Sequence, residues 1–281
     1  MYWNVVSIEV VGHCNGTCSY CPQGTGDAVN DGVISLRTFK KALGMAKEGR
    51  SKALLLHARG EPLLHPKLPE LIYIARSSGF LVYLSTNLLC ATDEKIKAVM
   101  LAGINQIEIH YDAALSQFSE NEIAQKIWYI HCCNEKNRNN ACRIEINHAQ
   151  KEKEEQFVIQ KRFSQLPPSL DKRMYTPYDW HTFIESNEVI NERPNNCYWY
   201  LHKACVIQSN GDIVICCLDH FKYSKVKNIH EISIIDESCC LNRDMCKKCS
   251  ASNWGRDWIE KDMFSLDEHR KKLLEKDVVV F

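Results

Sequence analysis

Cys14, Cys18 and Cys21 stand in the segment VVGHCNGTCSYCPQG, with three and then two residues between them, directly after the apolar run 5–11. No fourth cysteine lies close by. Four thiolates would close a tetrahedral zinc site or an iron–sulfur cube, whereas three leave one metal position free for a substrate or cofactor. The triplet therefore reads as a reactive centre. A zinc knuckle or three unrelated buried thiols is the competing reading, and structural context has to decide between them.

A second group of cysteines lies near the other end. Cys197 is followed by thirteen residues, Gly211, four residues and Cys216, and a C-x2-C pair follows at Cys246 and Cys249. Asn210 and Gly211 are a two-residue hairpin signal between ACVIQS and DIVICC, and such a turn brings separated thiols together. One pair across a hairpin plus one C-x2-C pair is, on spacing alone, also the ligand pattern of a zinc ribbon. Pro167, Pro168, Pro177 and the segment NERPNNC mark a change of character before this module, which suggests domains over 1–190 and 191–281.

The elements that must position these groups alternate. Strand-like runs are expected at 5–11, 53–57, 80–85, 106–110, 142–147 and 173–176, with helices over 36–48, 66–78, 93–101, 120–135 and 152–163. Leu68, Leu71, Ile72 and Ala75 recur at helical spacing in the clearest helix, which Gly79 closes. Such βα units build a parallel sheet, and in α/β barrels the loops after the strand C-termini carry the chemistry. Several polar constellations fall at those positions. HARGEPLLHP follows the second strand and offers Gly60 and Glu61; YLSTNLL ends the third with Thr86 and Asn87; His110 and Asn147 end the fourth and fifth. Plain alternatives stand beside each: a turn at Gly60, helix capping at Thr86 and Asn87, and a structural hydrogen-bonding histidine at His110.

The triplet, with Tyr20 in the aromatic place of C-x3-C-x-aromatic-C, resembles the hallmark of the radical S-adenosylmethionine (radical SAM) superfamily. That resemblance implies a partial (βα)6 TIM-like barrel. It also implies a [4Fe-4S] cluster held by Cys14, Cys18 and Cys21, whose open iron chelates S-adenosylmethionine and cleaves it to a 5'-deoxyadenosyl radical. ARGEP is similar to the family's Gly-Gly-Glu-Pro motif, with Arg59 in place of the first glycine. By that likeness Gly60 allows close backbone approach and Glu61 offers its carboxylate to the methionine ammonium, while Thr86 and Asn87 contact ribose or carboxylate. The C-terminal pattern resembles the SPASM and Twitch extensions. Since no cysteine follows Cys249, the shorter Twitch type fits, with one auxiliary [4Fe-4S] cluster held by Cys197, Cys216, Cys246 and Cys249, and with Cys205 or Cys217 as substitutes. The expected fold class is thus α/β, a partial barrel with a small C-terminal β-hairpin, cysteine-rich Twitch-type domain.

Composition sets outer bounds. The chain has 281 residues, 45% of them hydrophobic, and 35 basic side chains balance 35 acidic ones. No global field draws it to nucleic acid or an anionic membrane, and no apolar stretch is long enough to span one. The first residues lack the features of a signal peptide, so a cytoplasmic location is expected. In a long chain of this kind, fifteen cysteines favour metal ligation over disulfides.

The resemblance covers nearly the whole chain and specifies cofactor chemistry better than substrate. Hydrogen abstraction is the shared step; an auxiliary cluster then takes an electron, or a thiol returns a hydrogen. Cys217, Cys239 and Cys240 are candidate hydrogen donors, and Asp219 and His220 are candidate proton acceptors beside the predicted cluster. Two substrate classes compete. A ribosomally made precursor peptide is favoured slightly, with epimerisation, oxidation or backbone excision as the outcome and a stand-alone leader-recognition protein as partner. An aminosugar or aminocyclitol is the alternative, and a non-catalytic zinc-binding interaction protein is a third reading. Flavodoxin or ferredoxin is the expected electron donor.

Overall fold

The computed structural model describes residues 4–26, 28, 31–137, 141–149, 156–175, 204–216, 219, 222 and 225–231. Among them six parallel strands follow one another across the sheet in chain order: β1 (Asn4–Ile8), β2 (Ala53–Leu55), β3 (Leu81–Thr86), β4 (Gln106–His110), β5 (Arg143–Ala149) and β6 (Asp171–Tyr175). The connecting helices are α1 (Pro22–Thr25), α2 (Leu36–Glu48), α3 (Leu68–Ser77), α4 (Asp93–Leu101), α5 (Tyr111–Ala114), α6 (Glu120–Lys136) and α7 (Gln156–Ser164). This is an α/β fold with a mostly parallel sheet, as expected for a radical SAM partial barrel.

Local chemistry accounts for most of these boundaries. Ser35 caps α2 by accepting from the Thr38 amide, and Phe39, Ala42, Leu43 and Ala46 form its buried stripe. Thr92 caps α4 in the same way, and Ser119 with Glu122 forms a reciprocal capping box on α6. In β4 the alternation QIEIH buries Ile107 and Ile109, leaving Gln106, Glu108 and His110 on the other face. Strand register then aligns that other face in rows. Leu55, Tyr83, Gln106 and Arg143 are neighbours across four strands; Ser85, Glu108, Glu145 and Asp171 form the next row; His110, Asn147 and Arg173 form the third, nearest the strand C-termini. A hydrophobic core of β-strand and helix residues, including Val5, Ile8, Leu54, Val82, Leu84 and Phe39, lies under the helices.

The hairpin signal at Asn210 and Gly211 is borne out. Strands β7 (Ala204–Ile207) and β8 (Asp212–Val214) pair antiparallel, and Gly211 holds φ +89°, a left-handed conformation that favours glycine. Sequence reading did not reveal where the hairpin goes. β7 pairs in parallel with β1, and β8 continues to β9 (Lys225–Asn228), so the sheet runs β6-β5-β4-β3-β2-β1-β7-β8-β9.

Candidate active site

The cysteine triplet occupies the loop between β1 and α1, at the C-terminal end of the first strand. The Cys21 amide donates to the Cys18 carbonyl (3.1 Å), and the amides of Gly24 and Thr25 donate to the Cys21 carbonyl (2.8 and 3.1 Å), so the end of the triplet is wound into the start of α1. The Gly16 amide donates to Cys14 Sγ at 3.3 Å. Burial pushes the Cys14 thiol up to about 12, against the pull of that amide, and burial also raises Cys18 and Cys21. Among the described residues no three metal-ligating side chains converge as they would on a single ion. A cluster asks for thiolates spread around a cube, one to each iron, and half-buried thiols supplied with amide donors are suited to carry such charge once metal balances it.

Neighbouring strand ends hold this loop in place. A Cβ at Gly60 would lie 2.3 Å from the Val11 carbonyl oxygen, 2.4 Å from the His13 carbonyl oxygen and 2.7 Å from the His13 nitrogen, so only glycine lets the loop after β2 lie against the cysteine loop. The Glu61 amide seals the contact by donating to the His13 carbonyl at 2.9 Å. From β3, Asn87 Nδ2 donates to Asn15 Oδ1 (3.0 Å) and to Cys14 Sγ (3.4 Å). From the other side, Tyr20 Oη donates to Asp112 Oδ2 at 2.6 Å, while Asp112 Oδ1 accepts from the Ala149 amide at 3.0 Å. The aromatic position of the triplet is thereby tied to the ends of β4 and β5.

Glu61 is buried, and its carboxylate is already engaged. Oε1 accepts from the Leu63 amide (2.9 Å) and the Thr86 hydroxyl (2.8 Å), and Oε2 accepts from the Asn87 amide (2.8 Å). Burial raises its pKa while those donors oppose the rise. Glu61, Thr86 and Asn87, expected as separate contacts, thus form one unit in which the carboxylate orients the loop after β3 and keeps one lone-pair direction on Oε2.

The remaining expected residues belong to the inner rows. His110 pairs with Ser85 Oγ at 2.9 Å, and the Asn147 amide donates to Glu108 Oε1. Glu145 is neutralised by Arg143 (3.3 Å) and Arg173 (3.1 Å), while the hydrogen-bond partner of Glu108 among the described residues is Asn147. His57, just beyond β2, has its pKa lowered to about 3 by burial and then by nearby His110, and its Nδ1 is buried without a hydrogen-bond partner among the described residues. Gln106 Oε1 is likewise buried and, among the described residues, unpartnered.

Of the C-terminal set, Cys216 lies half-buried just past β8, and Asp219 is buried, its amide donating to the Cys216 carbonyl at 3.2 Å. Cys197, Cys217, His220, Cys239, Cys240, Cys246 and Cys249 lie outside the described residues. Sequence reading missed Asp112, His57, Glu108 and the Glu9–Arg59 ion pair. Asp112 and His57 each had a signal, a polar residue at a strand end.

Residues 8–127 match the family model described as Radical SAM superfamily. Over this segment, which is less than half of the chain, the sequence is similar to radical SAM proteins. A GTP 3',8-cyclase of Chlorobaculum tepidum is 30% identical to this chain over 109 residues, 38% of this chain and 32% of that protein. An AdoMet-dependent heme synthase of Methanosarcina barkeri is 25% identical over 118 residues, 42% of this chain and 33% of that protein. The matches thus span about a third of the length of these curated relatives. The crystal structure of BtrN in complex with AdoMet and 2-DOIA superposes with a TM-score of 0.55 at 15% identity, covering 90% of both chains, which is a likeness of fold. The matched segment ends within α6 and contains the triplet, Gly60, Glu61, Thr86, Asn87 and Asp112. Asn147 and the hairpin lie beyond it. No helix among the described residues is long and apolar enough to cross a membrane.

Proposed function

We propose that this chain is a radical SAM enzyme that abstracts hydrogen from a substrate bound on the inner face of the sheet. The observation that carries the reading is the cysteine triplet held against Gly60 and capped by Asn87 within the matched domain. When bound, a [4Fe-4S] cluster and S-adenosylmethionine would supply reductive cleavage to a carbon radical. Cys14, Cys18 and Cys21 would hold that cluster. Asn87 and the Gly16 amide would donate to Cys14 sulfur, Glu61 would orient the loop after β3 and offer its remaining lone pair to an ammonium group, and Tyr20 would fix the loop through Asp112. Flavodoxin or ferredoxin would supply the electron.

The inner rows bear on the substrate. Among the described residues Glu108 has no cationic partner, the acceptor Gln106 Oε1 and the ring nitrogen His57 Nδ1 are buried without a hydrogen-bond partner, and Arg143 and Arg173 are engaged by Glu145. This surface asks for donors. A small molecule of the aminosugar or aminocyclitol kind brings an ammonium group, which only donates and carries positive charge to Glu108, whereas a peptide backbone pairs each amide donor with a carbonyl acceptor. The structural observations thus favour the small molecule over the precursor peptide with its leader-recognition partner. We further propose an auxiliary [4Fe-4S] cluster on Cys197, Cys216, Cys246 and Cys249 in a 191–281 domain, with Asp219 and His220 as proton acceptors beside it and Cys217 as the candidate hydrogen donor.

The test is anaerobic reconstitution of the full chain with iron and sulfide counts and a dithionite-driven assay for 5'-deoxyadenosine, beside a Cys14→Ala, Cys18→Ala, Cys21→Ala variant. About eight irons with cleavage lost in the variant support both clusters. About four irons remove the auxiliary cluster, and absence of iron and cleavage in the wild type overturns the whole reading.

A further inference from the structure

Arg59 stands where the resembled motif has glycine, and the structure shows what the larger side chain reaches. It is buried, and its guanidinium donates to both oxygens of Glu9, which follows β1 and is fully buried, at 2.6 and 2.8 Å. The Arg59 backbone amide donates to Glu9 Oε2 as well, at 3.1 Å. Arg59 Nη2 also pairs with Asp31. Asp31 Oδ1 in turn accepts from Lys222 Nζ at 2.6 Å, and Lys222 reaches Asp212 of β8 at 3.2 Å, whose other oxygen pairs with Lys225 of β9 at 2.8 Å. The turn of the hairpin joins in: the Ser209 amide donates to Glu9 at 3.3 Å and Asn210 Nδ2 to Asp31 at 3.3 Å.

Three carboxylates and three cations thus alternate from the end of β1, through the loop after β2, to the C-terminal hairpin. Burial works against the Arg59 charge, but Glu9 and Asp31 more than offset it, and the donors around Asp212 pull that carboxyl down to about 2. Burying such a chain stabilises little compared with apolar packing of the same volume, so its value lies in geometry: each member has one arrangement that satisfies its neighbours. The residue after Arg59 is the glycine seated against the cysteine loop, and the next is Glu61.

We propose that Arg59 is a positioning residue that makes the seat of Gly60 and Glu61 against the cysteine loop depend on the docked β7–β8–β9 hairpin, through Asp31 and Lys222. The structural half of this inference stands without the radical SAM reading; its consequence for S-adenosylmethionine rests on that reading. The experiment uses the full chain with Lys222→Met, Asp31→Asn and, as rescue, Lys222→Arg. In the metal-free protein, hydrogen exchange of residues 58–64 should accelerate about tenfold in Lys222→Met and Asp31→Asn, with exchange in β4 and β5 unchanged and Lys222→Arg restored to the wild-type rate. In the reconstituted protein the same two variants should raise KM for S-adenosylmethionine about tenfold with little change in kcat, because they loosen a binding seat rather than the reacting groups. Wild-type exchange over 58–64 in both variants overturns the inference, as does acceleration spread equally over the whole sheet. If the wild-type chain fails to cleave S-adenosylmethionine, the functional reading falls while the exchange result still decides this one.

Discussion

Gly60→Ala is the substitution with the sharpest expected consequence. The new Cβ would lie 2.3 and 2.4 Å from two carbonyl oxygens, of Val11 and His13, and 2.7 Å from the His13 nitrogen. Carbon and carbonyl oxygen rest at roughly 3.3 Å or more, so the two loops must part by about 1 Å, and the obstacles are backbone atoms that no rotamer change can move. Overpacking of this kind costs about 1–3 kcal/mol, and stretching the Glu61 to His13 hydrogen bond of 2.9 Å adds about 1 kcal/mol. For a chain of this size the sum lowers Tm by on the order of 10 °C. Because the displaced residues adjoin Cys14, 5'-deoxyadenosine formation should fall by about 10²-fold, the usual effect of misplacing a reacting group by such a distance. The assay pairs a thermal melt of the metal-free chain with cleavage by the reconstituted one. Gly44→Ala is the control, since Gly44 lies inside α2 with open space around its Cβ position and should gain about 0.5–1 kcal/mol. A Gly60→Ala protein that melts and cleaves like the wild type would refute the close-approach argument.

Two further perturbations follow from the same site. Tyr20→Phe deletes the 2.6 Å bond to Asp112, a hydrogen bond to a charged group worth about 1.5–3 kcal/mol, and should cut cleavage by about tenfold or more while the iron count stays that of the wild type; an unchanged rate would show that the tether is idle. His57 provides a pH test. Its folded pKa, about 3, lies below the ordinary histidine value, so the unfolded chain binds the proton first on acidification and stability contributed by neutral His57 is lost as pH falls from about 6.5 towards 3. His57→Gln should flatten that part of the Tm against pH curve, and an identical acid limb in both proteins would remove His57 as its cause.

How much of this was legible in sequence depends on how local each cause is. α2 and α4 begin at Ser35 and Thr92 caps that a reader can see, and QIEIH announces which face of β4 is polar by its alternation. The Asn210–Gly211 turn was legible for the same reason, since a left-handed residue at a tight turn is written in two letters. Parallel pairing of β7 with β1 was not, because it joins residues about two hundred positions apart and no local pattern encodes a partner. The site shows the same division. Gly60 and Glu61 were found through a motif, but Arg59 looked like a mere departure from it until Glu9, Asp31 and Lys222 appeared around the guanidinium. Glu61 was expected to face the cofactor as a free carboxylate; three donors from its own loop and from β3 already hold it, a fact of packing that the motif does not express.

Glu108 offers the most direct test of substrate class. Glu145, its neighbour in the row, is balanced by Arg143 and Arg173, and its pKa is raised first by burial and then by the nearby Glu108 carboxylate. Among the described residues Glu108 has an amide partner but no cation. A half-buried carboxylate in that position is costly unless something positive joins it, which a substrate amine would do. Glu108→Gln separates structure from recognition, because a glutamine oxygen still accepts from Asn147 while the charge is gone. If Glu108 only braces Asn147, the variant should bind every substrate as the wild type does. If it receives an ammonium group, loss of a charged hydrogen bond of about 1.5–3 kcal/mol should raise KM by roughly 10- to 100-fold for an amine-bearing cyclitol. The same cyclitol without its amine should be unaffected. Stimulation of 5'-deoxyadenosine formation by the two compounds, measured in both proteins, decides the matter, and an equal response from wild type and Glu108→Gln would return the balance to a peptide substrate.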